Sequence, residues 1–397
     1  MKKRVLYLSY NGMMEPLGAS QVLSYVYKLS NTYEYTLLSL EKPADLQNKA
    51  EFDLLKSQLS EKGIRWIPIS YGESKIGKLL NFFRFTAKVF GIVRKDKLRN
   101  IHCRSYITAI PAWFVKKFYP VTYLFDTRNF WFDERADIGS LDRGKFLYKF
   151  LKRLEKRLYK KAGGIVILAR SGKATVLNNE LFRGGDSIKN IEIIPTCVDL
   201  DRFVQHKREY KKPITIGYIG TAVGWYDFEK TAITLSKIGE FMDYNFLIFN
   251  NDQYNQHAFI KETLSKYQIP SEKYRIEKIS FAEMPSRLKE IDISLFYIHP
   301  YFSKKASAAT KLGELLASGI PVLTNKDVGD HEYYIEQYSV GKIIDFEELD
   351  TYNFSEVITP LLNQATSNRC RNLAETYFSL DKGVEKYQEI YERIFKN

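Results

Sequence analysis

The pattern that most constrains this chain is an apolar strand followed by a glycine-bearing loop and a helix, and it occurs twice. The first copy has its strand at residues 4–9 and its loop at residues 10–22, before a second strand at residues 35–40. The second copy has its strand at residues 215–219, with Gly220 in the turn that follows. Strand, loop, helix and strand form the βαβ unit of a parallel sheet. The sequence therefore predicts an α/β fold with two similar halves.

A polar segment separates the two halves. The run QHKREYKKP at residues 205–213 lies between the strands of the first half and those of the second. Such a charged, proline-ended stretch is typical of a domain boundary. We therefore predict one domain at residues 1–205, a second at residues 206–375, and an amphipathic helix at residues 376–397.

The stretch ASAATKLGELLASGIPVLTN, residues 306–325, carries a pattern typical of a phosphate site. It predicts a helix over residues 307–318, and the polar residues that would share one face of it are Ser307, Thr310, Lys311 and Glu314. Small residues at the start leave the first backbone N–H groups available to an anion. Lys311 adds a positive charge, and Glu314 offers an acceptor for hydroxyl groups. The pattern indicates a nucleoside diphosphate site; the alternative is an ordinary amphipathic helix with a solvated Lys–Glu pair.

Glycine loops follow the first strand of each half. Gly18, Ala19 and Ser20 would put small residues at the N-terminus of the first helix, predicted from about residue 20, while Gly220 and Thr221 follow the first strand of the second half. Glycines there allow backbone N–H groups to approach a phosphate, at the sheet edge where ligands of open α/β sheets bind. A plain tight turn is the alternative at Gly18. The absence of a GxGxxG motif argues against a dinucleotide site.

The charge balance and two basic helices suggest an anionic partner. The net charge is +13, and 45% hydrophobic residues exclude a disordered chain. Helices are predicted at residues 78–97 and 143–161, and the second has nine Lys or Arg beside Phe and Tyr. Such a helix is typical of an anionic membrane surface, and a solvated face on a core-packed helix is the alternative. The sequence contains no run of eighteen apolar residues, so no transmembrane helix is predicted. The first residues are predicted to form a strand rather than a signal peptide.

Cysteine usage indicates a reducing compartment. The three cysteines are far apart, and the chain contains neither a CxxC motif nor a Cys/His cluster. Neither a disulfide framework nor a structural zinc site is therefore expected. We expect a cytoplasmic protein.

Five segments together resemble a known family. They are PLGASQV (16–22), FDTRNFWFDER (125–135), IIPTCVDLDRF (193–203), IGYIGTAVGWYDFE (216–229) and TKLGELLASGIPVLTN (310–325). In order and spacing the chain resembles retaining glycosyltransferases of family 4, above all bacterial enzymes that build surface polysaccharides. The resemblance implies the GT-B fold: two facing Rossmann-like domains with a cleft between them, and a C-terminal helix that crosses back to the first domain.

The resemblance also implies an activity. A hexose would move from a nucleotide-sugar to a glycan acceptor, expected to be lipid-linked, with retention at the anomeric carbon and without a metal or another cofactor. The enzyme would be cytoplasmic and could dock on the inner membrane through the two basic helices; no nucleic acid partner is implied. The alternatives are a sugar-nucleotide epimerase of the same fold and a non-catalytic binder of polysaccharide or nucleic acid.

Residue roles follow from the resemblance at matching positions. Glu314 resembles the glutamate that binds the donor ribose, and Ser307 to Thr310 with Lys311 resemble the diphosphate cradle. Gly220 and Thr221 resemble the second phosphate loop, and Gly18 resembles the first-domain glycine loop.

The segment FDTRNFWFDER offers candidate catalytic residues. Asp126 falls where many members carry a histidine near the reacting sugar. Glu134 could likewise act as a base or orient the sugar, and Arg128 could hold these carboxylates or contact the substrate.

Two departures from the family pattern affect the donor site. Ala306 stands where the family often has its first glutamate. The usual Arg and Lys after the second glycine loop are not evident, so Lys311 or Lys304 would supply the phosphate charge.

Overall fold

A computed structural model describes residues 2–182, 184, 187–253 and 255–396 of the chain. The chain forms two compact units: Met1–Pro195 together with Leu380–Asn397, and Thr196–Ser379. The change of unit at residues 195/196 comes before the charged run that suggested a boundary at 205/206. That run is part of the second unit, where the Arg208 guanidinium donates to the carbonyl of Ile291 over 2.6 Å and to that of Ser318 over 3.0 Å.

The first unit contains a seven-stranded parallel sheet with the strand order β3-β2-β1-β4-β5-β6-β7. The strands are β1 Lys3–Leu8, β2 Tyr33–Glu41, β3 Arg65–Ser70, β4 Asn100–Arg104, β5 Thr122–Asp126, β6 Gly164–Ile167 and β7 Ile191–Ile193. The helices that connect them are α1 Pro16–Gly18, α2 Ser24–Leu29, α3 Pro43–Gln47, α4 Lys49–Glu61, α5 Lys75–Asp96, α6 Tyr106–Val115, α7 Trp131–Asp137, α8 Phe146–Lys161 and α9 Arg170–Leu177. A short π-helix at Ala19–Leu23 joins α1 to α2.

The second unit contains a six-stranded parallel sheet with the order β10-β9-β8-β11-β12-β13. Its strands are β8 Ile214–Ile219, β9 Tyr244–Phe249, β10 Tyr274–Glu277, β11 Ile293–Leu295, β12 Val322–Thr324 and β13 Gly341–Ile343. Its helices are α10 Phe228–Phe241, α11 Gln256–Lys266, α12 Met284–Arg287, α13 Thr310–Ala317, α14 His331–Tyr338, α15 Phe354–Ile358 and α16 Gln364–Leu373. Short 3-10 turns lie at Ser271–Lys273, Leu288–Glu290, Phe302–Ala306, Phe346–Thr351 and Thr359–Leu361.

Both sheets are built from short apolar runs that are buried on both faces. Val5 to Leu8 of β1 and Ile216 to Ile219 of β8 are all buried. Helices on both faces of a parallel sheet leave no solvated side, so alternation between polar and apolar residues disappears. This explains why continuous apolar runs predicted the parallel strands.

The last helix, α17 (Leu380–Ile394), belongs to the first unit. It packs on α2 and β5, and its Ile390 and Ile394 side chains lie against Gly164 of β6. The fold is therefore the predicted one: two Rossmann-like α/β units, with a C-terminal helix that returns to the first. None of the described helices has the length and apolar character needed to span a membrane.

The two basic helices begin and end at slightly different residues than predicted. The first is α5, Lys75–Asp96, and the second is α8, which begins at Phe146 instead of residue 143. Residues 143–145 form a turn, because the Gly144 N–H donates to the Asp142 carboxylate over 2.8 Å and Lys145 is extended.

Candidate functional site

The strand order of the second sheet reverses between β8 and β11, so the carboxyl ends of these two strands lie side by side. Strands β9 and β10 lie on one side of β8, whereas β11, β12 and β13 lie on the other. A crevice at such a switch point is the usual ligand site of an open α/β sheet. The segments that follow these two strands pair with each other: the Asp227 N–H donates to the Tyr297 carbonyl over 3.0 Å, and the His299 N–H donates to the Trp225 carbonyl over 3.0 Å.

The glycine loop after β8 is held by two polar side chains. The Asn250 amide donates to the Gly220 carbonyl over 2.7 Å. The Gln256 side-chain oxygen accepts from the Thr221 hydroxyl over 2.9 Å and from the Ala222 N–H over 2.7 Å. Both side chains are buried, so the loop is fixed before any ligand arrives. Neither residue was singled out from the sequence, because each lies outside the glycine motif.

Gly220 makes room for the side chain of Lys311. Its φ of 100° is a conformation that favours glycine. A Cβ atom at this position would lie only 1.6 Å from the Lys311 ammonium nitrogen. That ammonium group also lies 4.3 Å from the centroid of the Tyr226 ring. The structure therefore brings two predicted donor-site residues, Gly220 and Lys311, into direct contact.

A second lysine lies over the same loop. The Lys304 ammonium is 3.4 Å from the centroid of the Trp225 ring, and the residue is only 6% exposed. Its backbone carbonyl accepts from the N–H groups of Ser307 and Gly329 over 3.0 and 2.9 Å. Two cations thus lie over adjacent aromatic rings of the loop that lacks the family's usual Arg and Lys.

The helix that carries Lys311 begins later than predicted. It starts at Thr310, and Ser307 is extended with φ −93° and ψ 152°, so Ser307 does not share a helical face with Lys311. Just before the helix, the Ala308 carbonyl accepts from the Thr196 hydroxyl over 3.1 Å. The residue before the helix is Ala309, which has no side chain to cap the first N–H groups. These donors are the kind that bind anions at helix N-termini.

Glu314 lies one turn beyond Lys311 and has an unusual acidity. Burial raises its pKa from 4.5 to about 7, although the positive charges of Lys311 and Arg202 act in the opposite direction. A carboxyl group with a pKa near 7 accepts hydrogen bonds from hydroxyl groups when it is ionised and can donate one when it is protonated. Ala306, at the position of the family's first glutamate, is completely buried.

In the first unit, Gly18 lies against backbone. An added Cβ would meet the Gly12 carbonyl oxygen at 1.9 Å, so only glycine fits. The loop itself is held by Glu41 of β2, whose buried carboxylate accepts from the Met13 N–H over 2.9 Å. Gly18 thus permits close packing between the glycine loop and the helix start. Glu41 was missed from the sequence, since nothing near it marks a loop partner.

Asp126 ends β5 inside a buried ion cluster. Its carboxylate lies 3.7 Å from the nearest nitrogens of His102, Arg104 and Arg128, and it accepts from the Tyr387 hydroxyl of α17 over 3.1 Å. Burial acts to raise the pKa of Asp126, but Arg128, His102 and Arg104 outweigh it and lower the pKa to about 2. Asp126 is completely buried, so we infer that its carboxylate holds these cations and α17 in place.

The other two predicted catalytic residues, Arg128 and Glu134, lie close to Asp126 in sequence. Arg128 has a φ of 64°, a left-handed conformation uncommon for a residue with a side chain, and it is half-buried. Glu134, in the first turn of α7, accepts from the Asn129 side chain. Arg128 therefore contacts Asp126, whereas Glu134 belongs to a separate local interaction. Among the residues that the structure describes, no group of His, Cys, Asp and Glu side chains could hold a metal ion.

Comparisons with known proteins agree with this architecture. No protein-family model and no curated protein sequence matches the chain. Among solved structures, it is similar to a glycosyltransferase from Rickettsia africae, with a TM-score of 0.70 and 17% identity over 100% of this chain and 99% of that one. It is also similar to HepE from Anabaena in complex with UDP and glucose, with a TM-score of 0.70 and 10% identity over 98% and 99% of the two chains. A third similar structure is the lipopolysaccharide outer core galactosyltransferase WaaB, with a TM-score of 0.66 and 11% identity over 98% and 99%.

The likenesses extend over the full chain and establish the GT-B fold. At these identities they define the fold alone. Membership of family 4 and retention of configuration stay predictions.

Proposed function

We propose that this protein is a glycosyltransferase that uses a nucleoside diphosphate sugar as donor. The observation that carries the proposal is the position of Lys311, whose ammonium group lies over Gly220 at the start of α13. A cation, a glycine loop and an uncapped helix N-terminus at one switch point together suit a diphosphate. The UDP bound to HepE and the family resemblance support the same donor chemistry.

The donor is proposed to lie with its phosphates at the start of α13 and its ribose at Glu314. Ser307, Thr310 and Lys311 would contact the diphosphate together with Gly220 and Thr221. Thr221 would contribute through its backbone, because its hydroxyl is already bonded to Gln256. Lys304 would supply the second positive charge that the family usually draws from an arginine or lysine after the glycine loop.

The reaction is proposed to be a metal-independent hexosyl transfer with retention. Negative charge grows on the leaving phosphate as the glycosidic bond breaks, so Lys311 and the preorganised N–H donors stabilise the transition state. The leaving phosphate itself would then accept the proton of the acceptor hydroxyl. Asp126 and Arg128 act as positioning residues in this scheme, since the carboxylate is enclosed by cations and by Tyr387, and Glu134 remains the candidate to orient the sugar.

The acceptor is proposed to be a lipid-linked glycan of a bacterial surface polysaccharide, met at the cytoplasmic face of the membrane. The match to WaaB, which acts in lipopolysaccharide synthesis, supports this setting. Two helices of the first unit support membrane contact. The apolar side chains that they expose, with exposed fractions of 47–75%, are Ile76, Leu79, Leu80 and Phe83 of α5 and Phe146, Leu147 and Phe150 of α8. Helix α6 packs against both α5 and α8, so the three helices form one layer.

Exposed apolar residues on basic helices are typical of interfacial binding. The core face of α8 is confined to its C-terminal half, where Glu155, Leu158 and Tyr159 are buried. In its N-terminal half, Phe146, Leu147 and Phe150 remain exposed, which favours the membrane interpretation over a solvated face.

Calorimetry with UDP and GDP tests the donor assignment. We expect one of them to bind, and Lys311→Ala to weaken that binding by about tenfold or more, the loss typical of a charge-assisted contact. Lys261→Ala is the control, because Lys261 is an exposed lysine of α11 without an ion pair among the described residues. If neither nucleotide binds, the donor site is refuted. Turnover of the matching nucleotide-sugar without any acceptor would instead favour an epimerase.

Sedimentation with vesicles tests the membrane contact. The double variant Phe83→Ser/Phe146→Ser should lose binding to vesicles that contain phosphatidylglycerol. Phe241→Ser, which changes a 43% exposed phenylalanine of the second unit, should not. Equal sedimentation of all three proteins would exclude these helices as the docking surface.

A further inference from the structure

A groove of about 820 Å³ lies between α5 and the edge strand β3 in the first unit. Its floor includes Ile67, Pro68 and Ile69 of β3, which are only half-buried. Strand β3 pairs with β2 on one side only, so its other edge faces this groove. Half-buried apolar residues on an edge strand are normally covered, and these remain partly exposed in the groove.

The wall of the groove is basic. The residues Arg84, Lys88, Gly91 and Lys95 recur at spacings of four, three and four, so they share one face of α5. Asp96 is the only carboxylate in the lining, and it is paired with Arg65. Within the described part of the chain, neither Lys88 nor Lys95 has a carboxylate within 4.0 Å. The groove therefore combines an apolar floor with an excess of positive charge.

The groove also has empty space beside Gly91, where a ligand could enter. A Cβ added to Gly91 would meet no atom within 4 Å, so this position borders empty space. Leu80 lies one turn before Arg84 on the same helix face and is 49% exposed. The groove is thus continuous with the apolar side chains of α5 that are proposed to enter the membrane.

We propose that this groove binds one anionic phospholipid, with the phosphate at Arg84 and Lys88 and the start of an acyl chain over the apolar floor. The inference rests on the proposed membrane contact of α5. An anionic headgroup matches the unpaired cations, and an acyl chain matches the isoleucines, whereas a free anion would leave the floor uncovered. The lipid would fix the enzyme in one orientation on the membrane, which a nonspecific basic surface does not do.

Dihexanoyl phosphatidylglycerol below its micelle concentration is the probe, because it tests the groove without a membrane. We expect saturable calorimetric binding to the full chain. Arg84→Gln/Lys88→Gln should weaken binding about thirtyfold, given the usual contribution of two cations near an anionic lipid. Lys49→Gln/Lys56→Gln on α4 removes the same charge from exposed positions and should leave binding unchanged.

A steric variant separates charge from shape. Gly91→Gln should block the groove while the helix remains intact, because glycine is the poorer helix former. Gly91→Ala should bind the lipid normally. The Phe83→Ser/Phe146→Ser variant should still bind the soluble lipid although it loses vesicles, so failure of the groove and failure of membrane docking give different results.

Several results would overturn the proposal. They are absence of saturable binding, equal binding by the groove variants and the wild type, and full competition by inorganic phosphate. Self-association that disappears in Gly91→Gln would also overturn it, because the groove would then belong to a second copy of the chain.

Discussion

The ammonium group of Lys304 lies 3.4 Å from the centroid of the Trp225 indole ring. Lys311 has a similar relationship with Tyr226, the next residue along the loop. Aromatic faces attract cations, so the two rings hold both lysines over the glycine loop in the absence of donor. The cations of the proposed donor site thus lie on the segment after β11 and on α13.

Replacement of Trp225 tests whether the ring positions Lys304. Trp225→Leu should raise the KM for the donor about threefold to tenfold, which corresponds to the cation–π interaction, and kcat should change less. Trp225→Phe retains an aromatic face and should recover part of the loss. Initial-rate measurements over a range of donor concentrations separate the two constants. Equal KM values for the Leu and Phe variants would contradict a cation–π role.

Gly220 should tolerate no side chain. Gly220→Ala forces a Cβ into the space of the Lys311 ammonium and should reduce kcat/KM by at least about tenfold, as expected for loss of an oriented charge. Gly224→Ala provides the matched control, because Gly224 also has a positive φ of 78° but nothing lies within 4 Å of its added Cβ. Both variants should lose a similar amount of stability, about 1 kcal/mol. Thermal melts measured beside the kinetics distinguish the two effects.

Glu314 should make the protein less stable as pH rises. Its folded-state pKa of about 7 lies above the ordinary 4.5, so the folded state binds the extra proton and stability falls between these two pH values. Glu314→Gln removes this dependence. We expect it to stabilise the unliganded protein by about 1–2 kcal/mol at pH 8, less than the full shift implies because the side chain is half-buried, and by almost nothing at pH 4.5.

The control for this pH experiment is Glu336→Gln on α14, which makes the same charge change at an exposed position. Chemical denaturation of both variants at several pH values measures the difference. The same Glu314→Gln change should abolish most turnover at pH 8, since the ribose loses an ionised acceptor. A variant that is both fully active and equally stable at every pH would count against the ribose assignment.

Asp126 should behave as a structural residue in the first unit. Asp126→Asn leaves Arg104 and Arg128 buried without their carboxylate, so we expect a loss of about 3–5 kcal/mol in the free energy of unfolding. In the wild type, the folded pKa of about 2 lies below the ordinary 3.8. The stabilisation is therefore present above pH 3.8 and disappears as the pH falls towards 2.

Tyr387→Phe serves as the milder companion to Asp126→Asn. It removes only the hydroxyl that donates to Asp126 and should cost about 1.5–3 kcal/mol, the usual value for a hydrogen bond to a charged group. Urea denaturation measures both variants, and hydrogen exchange on α17 should speed up in each. Unchanged exchange on this helix would show that Asp126 does not anchor it, and the catalytic interpretation would then regain support.

Local sequence signals predicted the sheets and the segments that form the proposed donor region. Apolar runs marked the strands, and the contact between Gly220 and Lys311 lies within the two segments that carried the family resemblance. The start of α13 lies three residues later than predicted, and the hydroxyl that bonds to the Ala308 carbonyl beside it comes from Thr196, more than a hundred positions earlier. Asn250 and Gln256 were not predicted either, because they hold the loop only through contacts between segments that are distant in sequence.

The structural role proposed for Asp126 could not be predicted from the sequence either. The segment FDTRNFWFDER places Arg128 and Glu134 near Asp126, and both were natural candidates for shared chemistry. The strand pairing instead brings Arg104 beside it, and Tyr387 arrives from the last helix. Burial by distant segments decides whether a carboxylate meets substrate or supports the fold, and no local pattern encodes that burial.

Both ends of the chain belong to the same compact unit, and this arrangement affects how the protein is made. Along the chain, Thr196–Ser379 lies between β1 and α17, which both belong to the first unit. During synthesis the second unit has all its residues before the first one does, although domains normally mature from the N-terminus onward. Until α17 has been synthesised, Tyr35, His102 and Asp126 lack the tyrosines that cover them, so the first unit stays incomplete while the second unit already has all its residues.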